Sequence, residues 1–213
     1  MKTYSSSIIT QGKLIEATGR LAAEYGFNKI STRMIATAAK ENIGSISYHF
    51  GNKENLFIAV LKKVIEPWHE FPVEKCLQDF DLEGSEGQAR ALRELIKRKI
   101  DILFRRENPL WYSRVLYQVM QYRSPLQDFV QENLITSEQT IVMELFTKIQ
   151  PALLRNQTQL HFLLMSSPIF MHANYMQIIL KNLEMDKYSD DYLNEMENII
   201  ATQTQLFFKL PLL

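Results

Sequence analysis

Residues 30–56 read ISTRMIATAAKENIGSISYHFGNKENL, and this stretch decides the fold of the N-terminal part of the chain. Ser31 or Thr32 can cap a short helix, and Asn42 can cap a second helix that covers residues 43–49. The three residues 40–42 form the turn between them, and small residues on both sides allow close packing. A third helix begins after Asn52. This order predicts a helix-turn-helix, a motif that places its second helix in the major groove of DNA.

Helical patterns continue on both sides of this stretch. Upstream, apolar residues recur at helical spacing from residue 10 to residue 25, and Gly26 ends that helix. The helix after Asn52 is expected to end at Pro67. Downstream, caps, prolines and apolar stripes predict helices over residues 86–106, from 109, over 125–149, over 156–183 with a bend at Pro168, and from Ser189 onward. In the short helix that Ser31 or Thr32 caps, the expected inner face consists of Met34, Ile35, Ala38 and Ala39.

The composition favours an all-α chain of about nine helices. Hydrophobic residues make up 46% and charged residues 23% of the 213 residues, as in ordinary folded proteins, and only 7 Gly and 7 Pro are present. Residues 1–52 are predicted to form a three-helix, helix-turn-helix DNA-binding domain. Residues 53–213 are predicted to form a larger helical body for effector binding and dimerisation. The single cysteine, Cys76, excludes an intramolecular disulfide and favours a cytoplasmic location, and no stretch is apolar enough to span a membrane.

The net charge of zero conceals an uneven distribution. Residues 1–63 carry nine bases and four acids, a balance of +5, and the remainder carries 15 bases and 20 acids, a balance of −5. Because DNA binding depends on local neutralisation of phosphates, the basic N-terminal part is suited to a polyanionic partner.

Catalytic and metal-binding patterns are absent from the sequence. Its four histidines do not fall at metal-ligand spacing, and it contains no HExxH, CxxC, glycine-rich phosphate loop or G-x-S-x-G. We therefore expect no enzyme activity, no metal site and no cofactor.

The second helix of the motif carries the residues expected to contact DNA. Ser45 and Ser47 can exchange hydrogen bonds with base edges, Ile43 can touch a thymine methyl group, and Gly44 permits close approach. Tyr48, His49 and Lys53 can reach phosphates. The alternative for the aromatic residues is packing within the three-helix unit, and Phe50 is expected to take that structural role.

The stretch resembles the DNA-binding domain of the TetR (AcrR) family of bacterial transcription regulators. The resemblance covers about residues 10–60 and rests on Gly26, the Thr32-Arg33-x-Ile-Ala start, the Ile-Ser-Tyr-His-Phe run at 46–50, and Lys53-Glu54. It implies that Thr32 and Arg33 also contact DNA. Family members often have Gly-Val in the turn, whereas this chain has Lys40-Glu41, so Lys40 must adopt left-handed angles at a cost of about 1 kcal/mol.

The resemblance also implies an effector pocket in the middle helices and a homodimer formed by the last two helices. Aromatic and sulfur-containing residues of the middle helices either line that pocket or form a core. Arg114 and His161 either orient a polar group of the effector or take a salt-bridged or surface role. Two apolar helices at a chain end suit a two-fold symmetric interface. The candidate effector-binding residues are Trp68, Phe104, Trp111, Tyr112, Arg114, Tyr117, Met120, Met143, Phe146 and His161, and the candidate interface residues, expected to be exposed, are Leu163, Leu164, Phe170, Met171, Tyr175, Ile199, Ile200 and Phe207.

The sequence therefore predicts a dimeric transcriptional repressor that binds double-stranded DNA at a pseudo-palindromic operator and is released by a small-molecule effector. The alternative is a helical small-molecule-binding module without DNA binding. The basic N-terminal part and the run of Tyr48, His49 and Lys53 favour the first interpretation.

Overall fold

The computed structural model describes residues 2–106 and 108–213, and their side chains from residue 7 onward. All regular elements within these residues are helical, which confirms the predicted all-α class. The α-helices are α1 (Lys2–Tyr25), α2 (Thr32–Ala39), α3 (Gly44–Phe50), α4 (Lys53–Glu70), α5 (Val73–Leu77), α6 (Ser85–Ile100), α7 (Trp111–Met120), α8 (Pro125–Val130), α9 (Thr136–Ile149), α10 (Arg155–Asn174), α11 (Met176–Asn182) and α12 (Asp190–Phe207).

Several of these helices are continuous or nearly so. A π-helical turn, Asp101–Arg105, extends α6, and a second one, Gln131–Ile135, joins α8 to α9. A break at Tyr175 alone separates α10 from α11. When the joined pairs are taken together, the described residues form ten helices, close to the nine expected.

Helix starts follow the predicted capping residues. The hydroxyl groups of Ser31, Ser124 and Ser189 each accept a hydrogen bond from the backbone N–H three residues on, at 3.1–3.2 Å. Asn52 Oδ1 accepts one from Asn55 N at 2.8 Å. Each bond satisfies a backbone donor that the first helical turn otherwise leaves free, so local chemistry determines where these helices begin.

Two predicted boundaries near prolines are wrong. Helix α4 does not end at Pro67 but continues to Glu70, because Trp68 is 4% exposed and its burial offsets the backbone hydrogen bond that proline removes. Helix α7 begins at Trp111 rather than at Pro109. The Asn108 amide donates to Ile102 O at 3.0 Å instead of capping α7, and Tyr112 N donates to Pro109 O at 2.9 Å in a turn.

The chain divides into two compact units that differ from the predicted domains. The first unit comprises the described residues up to Glu66 together with residues 109–133, and the second comprises the described residues of 67–108 together with 134–213. Packing thus groups α7 and α8 with the N-terminal helices. The division of roles between residues 1–52 and 53–213 stays a prediction.

The first unit has an apolar core between α1, α2, α3, α4 and α7. Trp111 of α7 lies against Gly19 of α1, and its indole Nε1 donates to Glu16 Oε1 at 3.2 Å. No side chain larger than hydrogen fits at position 19 beside this ring. The fully buried side chains at the centre of this unit include Leu14, Ile30, Ile35, Ile46, Leu56 and Leu61.

The second unit buries two basic side chains of α6. Arg98 is 5% exposed and donates to both oxygens of Glu138, at 2.5 and 3.0 Å, and to the carbonyl oxygens of Trp68 and Phe71. Lys99 is 2% exposed, and its Nζ donates to Ser166 Oγ at 2.7 Å. Burial lowers the pKa of Lys99 to about 8, because the surrounding apolar side chains destabilise its charged form.

Within residues 2–106 and 108–213, the helices are too short or too polar for any of them to cross a membrane.

Candidate nucleic-acid interface

Helix α2 packs through Ile35, Ala36 and Ala39, which are buried. The predicted inner face was partly wrong, because Met34 and Ala38 are exposed. Ile35 and Ala39 are one helical turn apart and set the direction of the face, and Ala36 lies beside them. This leaves Thr32, which is half-buried, and Arg33, which is exposed, at the first turn of the helix.

The turn between α2 and α3 adopts the left-handed conformation expected at Lys40, with φ 55° and ψ 41°. The Lys40 N–H donates to Thr37 O at 3.2 Å, and the Glu41 N–H donates to Ala36 O at 3.0 Å. These bonds close the C-terminus of α2 and offset the left-handed strain. The Glu41 carboxylate also pairs with Lys13 of α1 at 3.0 Å, which fixes the turn against the first helix.

Helix α3 begins at Gly44, whose N–H donates to Asn42 Oδ1 at 2.8 Å. A single residue, Ile46, anchors this short helix and is 1% exposed. Its other face is open: Tyr48 is 82% exposed, Ile43 is 51% exposed, and Ser47 is also exposed. The helix therefore packs inward through Ile46 alone. The hydroxyl group of Ser47, the aliphatic side chain of Ile43 and the phenol group of Tyr48 face solvent.

The residues at the end of α3 are partly enclosed. His49 and Phe50 are half-buried, as Ser45 is on the first turn, and the His49 ring lies edge-on to Tyr48 with 4.8 Å between centroids. The half-buried position of Phe50 fits its predicted packing role. Gly51, with φ 79°, donates to Ser47 O at 3.0 Å and ends the helix.

Lys53 occupies the first turn of α4 but is half-buried. Its Nζ lies 3.4 Å from Ile30 O and 5.4 Å from the centroid of the Phe57 ring. The distance of 3.4 Å is long for a hydrogen bond, so a phosphate oxygen can compete for this ammonium group at low cost. Glu54 beside it is exposed.

The ten candidate effector residues are divided between the two units. Trp111, Tyr112, Arg114, Tyr117 and Met120 lie on α7 of the first unit, and the other five belong to the second. Trp111 and Phe146 are 5% and 0% exposed, and Phe146 packs against Phe208 with 4.8 Å between centroids. These two residues therefore form core.

Three of the other predicted effector residues of the second unit contact aromatic neighbours. Trp68 stacks on Phe170 with 6.1 Å between centroids, and Phe104 lies edge-on to Tyr188 at 5.5 Å. His161 stacks on Phe207 at 3.2 Å, and burial lowers its pKa. Met143 is half-buried on α9.

The candidate interface residues are exposed with three exceptions. Ile200 is 4% exposed, because α12 packs this side against α6, so its predicted exposure is wrong. Phe170 and Phe207 are half-buried under the ring contacts with Trp68 and His161. The prediction missed Leu160 and Leu206, which are more than half exposed. The exposed apolar side chains on α10, at its C-terminal end and on α12 are Leu160, Leu163, Leu164, Met171, Tyr175, Ile199 and Leu206.

The N-terminal helices are similar to those of known bacterial regulators. Residues 14–60 match the model of the bacterial regulatory proteins of the tetR family. The chain is 32% identical over 87 residues to the HTH-type transcriptional repressor NicS of Pseudomonas putida, and 35% identical over 51 residues to the HTH-type transcriptional repressor AcnR of Corynebacterium glutamicum. These alignments cover 41% and 24% of this chain and span only 38% and 27% of the two relatives.

Solved structures extend the likeness to the whole fold. A transcriptional regulator from Rhodococcus sp. Rha1 has a TM-score of 0.61 at 18% identity, over 92% of this chain and 96% of that one. FadR from Bacillus subtilis, solved in complex with stearoyl-CoA, has a TM-score of 0.61 at 17% identity, over 90% and 96% of the two chains. The match over residues 14–60 confirms the predicted resemblance of the N-terminal helices to the bacterial regulatory proteins of the tetR family, and the solved structures show that the chain shares the fold of known regulators over about nine tenths of its length.

Proposed function

We propose that the chain is a DNA-binding transcriptional repressor, active in the cytoplasm as a homodimer on a pseudo-palindromic operator and released by a small-molecule effector. The observation that carries this proposal is the outer face of α3. A seven-residue helix is held by the buried Ile46 and leaves a tyrosine 82% exposed. An aromatic ring so exposed contributes little to folding, and a role in binding accounts for it.

The groups on this face suit a duplex. Ser45, Ser47 and Ile43 offer hydroxyl and aliphatic contacts to base edges, and Gly44 lets the backbone approach. Tyr48, His49 and Lys53 lie toward the other end of α3 and the start of α4, where they serve phosphates. Thr32 and Arg33 add a hydroxyl and an exposed cation from the first turn of α2, whose N-terminus also favours anions.

Dimerisation and effector release are further parts of the proposal. The exposed leucines of α10 and Ile199 and Leu206 of α12 supply apolar side chains that a two-fold symmetric contact buries. That FadR was solved with stearoyl-CoA supports a ligand-responsive regulator as the class. The matched relatives are both repressors, which supports the proposed sign of regulation.

Replacing Lys53 with alanine should weaken binding to every DNA sequence by a similar factor. Loss of one phosphate contact lowers the slope of log K against log salt concentration by about 0.9. Electrophoretic shift or fluorescence titration between 50 and 200 mM salt, on the order of the range where such slopes are resolved, measures both effects. Lys62→Ala is the matched control, because Lys62 is exposed on the same helix about 14 Å further along its axis. Equal slopes for the Lys53 variant and the unmodified protein would contradict phosphate binding by Lys53.

Replacing Ser47 with alanine should instead change which sequence is preferred. Loss of one base-edge contact alters discrimination at one position by about 1–3 kcal/mol and leaves the salt slope unchanged. Selection from a randomised duplex pool measures this, with Ser137→Ala on the exposed face of α9 as the control. An unchanged sequence preference would exclude Ser47 from contact with base edges. If the unmodified protein retards no duplex in a sequence-dependent way, the alternative of a helical binding module without DNA recognition is favoured.

A further inference from the structure

The second unit contains a cavity of about 260 Å³ between α5 and the π-helical turn that ends α6. This volume lies just below the range of about 300–1,000 Å³ typical of drug-sized ligands. None of the ten residues predicted to bind an effector lines it. The walls combine apolar side chains, a thiol and five charged groups. The lining residues that matter most for the chemistry of the cavity are Phe71, Pro72, Cys76, Arg98 and Arg106.

The charged residues that the structure describes around the cavity leave an excess of positive charge. Glu94 lies 3.7 Å from Lys97, and Asp101 pairs with Arg105 at 2.7 Å, so both acids are matched by bases of their own helix. Arg98 is matched by Glu138. Among the described residues, Arg106 and Lys75 have no acidic partner within 4.0 Å. The described part of the cavity lining therefore has two cations without an acidic partner and no acid without a basic one.

Arg106 is the group that marks the cavity as a binding site. Its guanidinium lies over the Phe71 ring, with Cζ 3.1 Å from the centroid, and this contact fixes its plane. Its Nε is buried and has no hydrogen-bond partner among the described residues. Burying such a donor without an acceptor costs about 1–3 kcal/mol, more for a charged group, so its position in a cavity wall requires an explanation.

A carboxylate is the ligand group that an arginine side chain pairs with best. A guanidinium presents paired N–H groups that match the two oxygens of a carboxylate. Phe71, Pro72 and Ile102 supply an apolar wall for the rest of the molecule. We propose that this cavity binds a small organic carboxylate, with its oxygens on Arg106 and its apolar body against Phe71, Pro72 and Ile102. The regulatory meaning of the site rests on the proposed function, but binding itself does not.

The proposal is tested first by calorimetric titration of the full chain with benzoate, cinnamate and hexanoate, each beside its uncharged amide. At least one carboxylate should bind tenfold or more tightly than its amide, and Arg106→Gln should remove that difference. Arg90→Gln is the matched control, because Arg90 is an exposed arginine of α6 paired with Glu86. If none of the three acids binds better than its amide, or if Arg106→Gln leaves the difference intact, the proposal is wrong.

The single cysteine provides a second test that alters no residue. Cys76 lines the cavity, and burial raises the pKa of its thiol to about 11, so we expect it to react slowly with maleimide. A bound carboxylate should slow N-ethylmaleimide labelling at pH 8.5 at least fivefold, and its amide should not. A labelling rate unchanged at saturating carboxylate would place the ligand elsewhere and overturn the proposal.

Operator binding measured with the same acids separates this proposal from the proposed function. A carboxylate that protects Cys76 and lowers operator affinity supports both. One that protects Cys76 without changing operator affinity supports the site and contradicts its role in release. Absence of operator binding with Cys76 still protected contradicts the proposed function and leaves the carboxylate site standing.

Discussion

Replacing Glu138 with alanine is expected to lower the free energy of unfolding by about 3 kcal/mol, because it leaves the buried guanidinium of Arg98 without its counter-charge. Arg98 is 5% exposed, and Glu138 accepts two of its hydrogen bonds. The carbonyl oxygens of Trp68 and Phe71 keep part of the charge solvated. The expected loss therefore lies at the lower end of the range for broken buried pairs.

Urea denaturation followed by circular dichroism measures this loss. Glu144→Ala is the matched control, because Glu144 is an exposed carboxylate on the same helix and its removal should cost less than about 0.5 kcal/mol. Replacing both members of the pair, Arg98→Met with Glu138→Leu, should restore most of the stability, because two apolar side chains need no counter-charge. A Glu138→Ala variant as stable as the Glu144→Ala variant would show that the pair contributes nothing to folding.

Gly19→Ala is expected to destabilise the protein by about 1–3 kcal/mol, whereas Gly12→Ala should stabilise it by about 0.5–1 kcal/mol. Both glycines lie in α1, where alanine is the better helix former. A Cβ atom at Gly12 meets no atom within 4 Å, but a Cβ at Gly19 overlaps the ring of Trp111. The ring is 5% exposed and cannot move into free space.

The contrast between the two glycine variants is measured by thermal and urea unfolding. A double-mutant cycle with Trp111→Leu isolates the clash, because the added methyl should cost much less once the indole is gone. Equal stabilisation by both alanine substitutions would mean that Trp111 does not pack against α1.

Features that depend on neighbouring residues were predictable from the sequence. Ser31, Ser124 and Ser189 cap helices because their hydroxyl groups reach backbone donors three residues away. The left-handed Lys40 follows from the spacing of two helices across a short turn. The exposed face of α3 was also predictable, because a helix of only seven residues can bury few of its side chains.

Features that depend on distant residues were not predictable. Ile199 and Ile200 are adjacent and equally apolar, but they point about 100° apart on α12, and the position of α6 decides which of them is buried. A proline such as Pro67 usually ends a helix that has no tertiary contacts. Only the burial of Trp68 explains why α4 continues beyond Pro67.

The candidate effector residues illustrate the same limit. Aromatic side chains such as Phe146 and Trp111 are equally suited to a core and to a pocket, and tertiary packing made these two core. The cavity at Arg106 carried no sequence signal, because its apolar wall comes from residues 71, 72 and 102, which follow no single helical period. An arginine in a charged run such as Arg105-Arg106-Glu107 is too common to mark such a site.

The grouping of residues 109–133 with the N-terminal helices has a consequence for biosynthesis. While the ribosome has made only the first hundred residues, α1 has no Trp111 to cover Gly19, which is buried in the finished protein. The first unit therefore cannot complete its core during early translation, and its last apolar face stays exposed until α7 leaves the exit tunnel. The nascent chain therefore carries the helices proposed to contact DNA well before the core of their unit is complete.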